Sequence, residues 1–180
     1  MPESVVDLSD SERRILAAWS AECAARSLHL FEAEVSDDQR PRCAIAAIRA
    51  YAEGGKRGAA LRASGWEALR ASRQAPVASA AAAAKAAGYA AASAYLHALA
   101  SPHQTRHILA PAAHTALALE LFAGSDASVG ESEIVWAADH APEAVRWLLK
   151  KFPVRLPGST RMAALERQLD TALRGQGGKP

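Results

Sequence analysis

The chain has 180 residues, half of them apolar but only 6% aromatic, with a net charge of +2. That length supports one domain, or one domain with an appendage, without disulfides or a structural metal. The amino terminus MPESVVDLSD lacks the basic-then-apolar pattern of a signal peptide, and the run 75–100, mostly alanine but broken by Lys85, Gly88 and His97, is too weakly hydrophobic to span a bilayer.

About a quarter of the chain is alanine, the best helix former and the smallest apolar side chain. This predicts helices packed near the short end of the usual spacing of about 8–10 Å. No window alternates strand formers, so the expected fold is all-α: a compact bundle of about five antiparallel Ala-rich helices plus two or three C-terminal helices. Charge is uneven. Residues 1–35 carry seven acids against three bases, residues 36–119 ten bases against four acids, and the rest balances. The basic middle falls short of the dense stripe of a nucleic-acid binder. Cys23 and Cys43 form no CxxC pair, and both read as small buried residues in a reducing cytosol.

A first helix is predicted over 10–34. Ser9–Glu12 form a capping-box pattern, and Ile15, Leu16, Trp19, Cys23 and Leu30 share one stripe. Asp37 or Asp38 caps a second helix, with Pro41 in its first turn and Gly54-Gly55 at its end. A third covers 57–73, weakened by Gly65. Pro76 opens a fourth over 76–100, apolar almost all round and placed at the centre. Ser101 or Pro102 starts a fifth, to about 122. Pro41, Pro76 and Pro111 are equally spaced, but their surroundings do not match, so no repeat is assigned.

These five helices, residues 1–123, read as a core domain, and 124–130 as a linker. Residues 131–174 read as a C-terminal helical extension packed on the core, and 175–180 as a disordered tail. Within the extension a helix begins near Glu131 and breaks or kinks at Pro142, FPVRLPGST is extended, and a last helix covers 160–174. If the helix ran unbroken, Trp136 and Trp147 would share one side, opposite Ile134, Val135, Ala138, Val145, Leu148 and Leu149.

Candidate chemistry is sparse. His103, His107 and His114 fall on one narrow face of the fifth helix, and an HxxxH pair can clasp a metal. No carboxylate shares that face, so a metal site would need His97 or another helix; surface or structural imidazoles are the simpler reading, and no cofactor is expected. The glycine-bearing turns 53–58 and 124–130 lack the phosphate-loop pattern, and no nucleophile motif is present. Arg40, Arg42, Arg49, Lys56, Arg57, Arg62, Arg70 and Arg73 run through the second and third helices, either as a solvated exterior or as a nucleic-acid face.

Three segments carry a resemblance. Leu28, Leu30, Phe31 and Glu32 end the first helix; Asp38, Arg40, Pro41, Arg42, Ala44, Ile45 and Arg49 open the second; Ala87, Gly88, Ala90, Ala91 and His97 lie in the fourth. Over about residues 12–120 they resemble the small alanine-rich bacterial immunity proteins of the immunity-five-like domain. The chain departs from that pattern at Tyr89, where histidine is usual, and at Tyr95-Leu96, where Ala-His is common. The resemblance implies a non-enzymatic antagonist that binds a co-produced toxin and acts by occlusion; the sequence does not set its oligomeric state, a dimer being one option. Immunity proteins against nucleases tend to be acidic, and this chain is not, which counts against simple charge masking.

Asp37, Asp38, Arg40, Arg42 and Arg49 then have two readings. In one, Asp38 caps the second helix and an arginine pairs back to Glu32 or Glu34, clamping the corner. In the other, they are presented to the partner. The alternatives to a toxin antagonist are a metal-binding bundle using His97, His103, His107 and His114, and a nucleic-acid accessory protein.

Overall fold

In a computed structural model that describes residues 4–156 and 158–175, the chain is an all-α bundle. The helices are α1 (Asp10–Ala25), α2 (Leu28–Glu34), α3 (Arg40–Ala52), α4 (Ala59–Gln74), α5 (Ala78–Ser93), α6 (Thr105–Phe122), α7 (Ala127–Asp139), α8 (Glu143–Lys150) and α9 (Arg161–Gly175). A 3-10 turn, Pro102–Gln104, leads into α6. Extended pairing among the described residues is limited to one antiparallel bridge between Val5 and Leu99. No helix among them is long and apolar enough to cross a membrane.

Helix α5 is the central rod. It packs against α1, α2, α3, α4 and α6. Its buried positions are Ala80, Ala82, Ala83, Ala84, Ala86, Ala87, Gly88, Ala90, Ala91 and Ser93, so burial surrounds it as the sequence predicts. Its approach to α4 is close, because two glycines face each other there. A Cβ on Gly65 would lie 3.1 Å from the Cβ of Ala91, and one on Gly88 would lie 2.7 Å from Cγ of Leu69 and 3.1 Å from the carbonyl oxygen of Gly65. Gly65, which by propensity alone weakens α4, is there because the backbones nearly touch.

The carboxy-terminal side is built differently. Leu16, Trp19, Ile108, Ile134, Val145, Leu148, Leu149, Phe152, Leu165, Leu169 and Leu173 form one cluster across α1, α6, α7, α8 and α9. Each such side chain contributes roughly 1.5–3 kcal/mol on burial. The indole N–H of Trp19 donates to the carbonyl of Ala137 at 3.1 Å, joining α1 to α7.

Several boundaries differ from the sequence reading. The helix predicted over 10–34 is two helices. Arg26-Ser27 breaks it, and the break is tied to α6: Ser27 Oγ donates to Thr115 Oγ1, which donates to the carbonyl of Cys23. Apolar periodicity runs through the break and does not reveal it. The helix predicted to 100 ends at Ser93, and Ala98 and Ala100 instead bond Val6 and Ser4 in the amino-terminal segment. Residues 127–130, predicted as linker, are the first turn of α7, capped by Asp126. Pro142 does separate α7 from α8, so Trp136 and Trp147 do not share one helix side. Cys23 is buried, and burial pushes its thiol pKa up; Cys43, predicted buried, is exposed. Helix α9 runs through Gly175, and the tail predicted beyond it lies outside the described residues, which end there.

Helix ends are closed by two devices. At α3, Gly54 takes φ 113°, its N–H bonds Tyr51 O, and the N–H of Gly55 bonds Ala50 O at 2.8 Å, a Schellman ending. Elsewhere cations take the free carbonyls. Arg57 donates to Ala94 O and Arg13 to Leu96 O, both at 3.1 Å, just past the end of α5. Arg14 donates to Tyr51 O in the last turn of α3 and to Gly55 O beyond it, and Arg174 to Phe152 O past α8. Positive charge at a helix C-terminus also complements the dipole.

Gly88→Val forces a branched side chain into the α4–α5 contact. It should lower the unfolding free energy by about 1–3 kcal/mol in urea denaturation. Unchanged stability would show that the two helices separate freely.

Candidate functional site

The corner singled out in the sequence is built from satisfied ion pairs. Asp38 accepts from the backbone N–H of Arg40 at 3.0 Å, and its carboxylate pairs with the Arg40 guanidinium at 2.5–3.1 Å. The guanidinium holds the Asp38 carboxyl below its ordinary pKa. The N-cap position itself is Gln39, one residue after the predicted Asp38, and its side chain caps nothing. Arg40 also donates to Gln74 Oε1 at 2.6 Å, tying the corner to the end of α4. Arg42 reaches back to Glu32 with two bonds of 2.6 and 2.7 Å, joining α3 to α2. Asp37 and Arg49 are exposed. The corner therefore holds two separate clamps, Asp38–Arg40 and Glu32–Arg42.

The histidines disperse. His97 lies in the loop after α5 and is exposed; its backbone N–H bonds Gln104. His103 is exposed in the 3-10 turn, not on α6. His107 Nδ1 lies 3.1 Å from Ala92 O, so this nitrogen carries a proton and donates it; burial lowers the pKa of the ring. His114 is buried, stacks on Tyr89 with ring centroids 4.9 Å apart, and has no hydrogen-bond partner at either nitrogen. Burial pushes its pKa down to about 3. No three His, Cys, Asp or Glu among the described residues are placed to hold one metal ion.

A different feature dominates the surface between α4, α5 and the start of α6. A cleft of about 330 Å³ opens there. Its floor is the glycine contact, Gly65 and Gly88 with Ala91 and Ala92, where small residues bring backbone to the surface. Trp66 on α4 is 57% exposed at its edge. Tyr89 comes from α5, and Tyr95 from the turn that follows it. The guanidinium of Arg62 lies 4.5 Å from the Tyr95 ring centroid, and that of Arg106 lies 5.1 Å from Tyr89. Tyr95 is held by a bond from its hydroxyl to Gly58 O at 2.7 Å. His103 and His107 complete the wall, and no lining residue is acidic.

The sequence reading counted Arg62 among basic helix residues but missed this arrangement. Its local trace is Arg62, Trp66 and Leu69 at helical spacing on one face; Tyr89, Tyr95 and Arg106 reach it only through the fold.

Fold and site together define a rigid helical protein with a concave aromatic and cationic face. The chain belongs to the family described as Imm-5 like putative immunity protein, whose model matches residues 7–144. The match runs past the segment 12–120 that carries the resemblance in the sequence and takes in α7. No curated protein and no solved structure matches the chain.

Two measurements check this geometry. In a double-mutant cycle, Asp38→Ala and Arg40→Ala should couple by up to about 1 kcal/mol in thermal denaturation, the range for solvent-screened pairs, while Asp38 and Arg42 should not couple. For His114, the ordinary pKa of 6.5 applies in the unfolded chain and about 3 in the folded one. As pH falls through that window the unfolded chain binds a proton that the folded chain refuses. Stability from this group is complete above pH 6.5 and is lost at up to about 1.4 kcal/mol per pH unit below it. Urea titrations from about pH 7 to about pH 4 should show a shallower loss for His114→Leu than for the parent. Equal slopes would refute the buried neutral imidazole.

Proposed function

We propose that the chain is a cytosolic, non-enzymatic antagonist that binds a cognate bacterial toxin and blocks it by occlusion. The observation that carries this reading is the exposed Trp66 beside Tyr89, Tyr95, Arg62 and Arg106, on helices whose backbones are in contact. Trp, Tyr and Arg are the side chains that concentrate binding energy at protein interfaces. A rigid platform loses little entropy when it docks. Family membership supplies the toxin as the partner class.

The corner residues have a supporting part in this reading. Asp38, Arg40, Arg42 and Glu32 already satisfy one another, so they hold α2, α3 and α4 in register instead of facing the partner. Arg49 and Asp37 remain available as rim contacts, where charges contribute little to affinity.

The test is rescue of growth when the chain is co-expressed with the product of the neighbouring gene. The parent should protect and co-purify with that product. Trp66→Ala should lose at least about 2 kcal/mol of affinity, roughly thirtyfold, with an unchanged melting temperature. Protection fully retained by Trp66→Ala would remove this face from the interface.

A further inference from the structure

We infer that the cleft receives an acidic segment of the partner: a flat apolar side chain lies over the glycine floor, and a neighbouring carboxylate pairs with Arg62 or Arg106. This rests on the reading of the chain as a protein-binding antagonist and names the chemistry that its face selects.

The protein supplies its own comparison. Four arginines lie over aromatic rings and bear on the question. Arg14 sits 4.5 Å from the Tyr51 ring and pairs with Asp10 at 2.7 Å. Arg26 sits 3.7 Å from the Trp136 ring and pairs with Glu133 through two bonds of 2.5 and 2.9 Å. In both, the ring covers the guanidinium face and a carboxylate takes its edge. Arg62 and Arg106 have the ring but form no ion pair or side-chain hydrogen bond among the described residues, Glu166 acting on Arg106 only at longer range. The half-built pairs both border the cleft. A guanidinium fixed on a ring keeps its in-plane N–H fork free, the geometry that a carboxylate fills with two parallel bonds.

The shape selects the rest. A volume of about 330 Å³ lies at the small end of ligand sites, which run from about 300 to 1,000 Å³. It suits one large side chain with its neighbours. The walls Trp66, Leu69 and Tyr89 offer apolar and π surface to that side chain. Aromatic rings with arginine also bind single-stranded nucleic acid, but that mode uses a basic groove that follows the strand over several nucleotides. This cleft is a single, short, half-open seat between two helices and the mouth of a third. With two guanidiniums and no acid in its lining, it attracts an acidic segment and repels a basic one.

The experiment uses the whole chain, isotopically labelled, and amide shifts in nuclear magnetic resonance. The probes are the acetylated peptide amides Gly-Asp-Trp-Glu-Gly and Gly-Lys-Trp-Lys-Gly, and a short oligothymidylate. The acidic peptide should move amides in 62–69, 88–95 and 103–107 with saturation in the millimolar range, and the lysine peptide should bind at least tenfold more weakly. Arg106→Gln and Arg62→Gln should each weaken the acidic peptide at least fivefold. If either variant misfolds, raised salt serves instead and should weaken the acidic peptide in the parent. Absence of shifts at these residues at about 5 mM peptide, a free energy near −3 kcal/mol, overturns the inference. So does equal binding of the lysine peptide, and so does tighter binding of oligothymidylate, which would assign the face to nucleic acid. The peptide result reads the cleft alone. Protection from the toxin without acidic-peptide binding leaves the antagonist standing and removes this inference; peptide binding without protection does the reverse.

Discussion

Everything in the amino-terminal half depends on how closely α4 and α5 approach. Two glycines and a row of alanines leave almost no side chain between them, so the helices meet backbone to side chain. Such a contact gains dense van der Waals packing but removes little apolar area per residue from water. The same economy shapes the surface. Because the floor carries nothing larger than a methyl group, residues on either side of it, Trp66, Tyr89 and Tyr95, stand up as walls. The cleft is what remains when small residues bring two helices together and large ones flank them.

A core that gains little from each alanine needs other fastenings, and arginine provides them. Arg13, Arg14 and Arg57 close helix ends by taking carbonyls that have no partner inside the helix. Arg161 pairs with buried Glu120 through bonds of 2.8–3.1 Å and links α9 to α6. Arg40 and Arg42 bind the turns between α2, α3 and α4. Hence part of the basic middle of the chain, Arg40, Arg42, Arg57 and Arg70, is tied down by contacts inside the fold. Among the bases that remain, Arg62 and Arg106 are set apart because each lies on a tyrosine ring at the cleft.

The all-α class was legible because alanine content and apolar stripes are local properties. So were the Ser9–Glu12 capping box, Pro41 near the start of α3, the Gly54-Gly55 ending and the break at Pro142. What escaped was long-range. The break at Ser27 depends on Thr115, and the early end of α5 goes with Arg13, Arg57 and pairing to residues 4–6. Pro111, a helix breaker by rule, lies buried inside α6, where packing overrides it. Histidine spacing read as one face because it assumed a continuous helix from His103, which begins instead with a 3-10 turn. The reach of Arg42 to Glu32 was foreseeable from charge and a short connection; the cleft was not, since half of it comes from residues that only the fold assembles.

The bond from Trp19 to Ala137 joins positions far apart in the chain, and Leu16 shares its cluster with Leu165 and Leu173. The first helix is therefore shared between two clusters: Ala17, Ala21 and Ala24 join the alanine-rich one with α3 and α5, and its largest apolar side chains join the one built by the carboxy-terminal helices. The first helix thus couples the alanine-rich half of the bundle to its leucine-rich half.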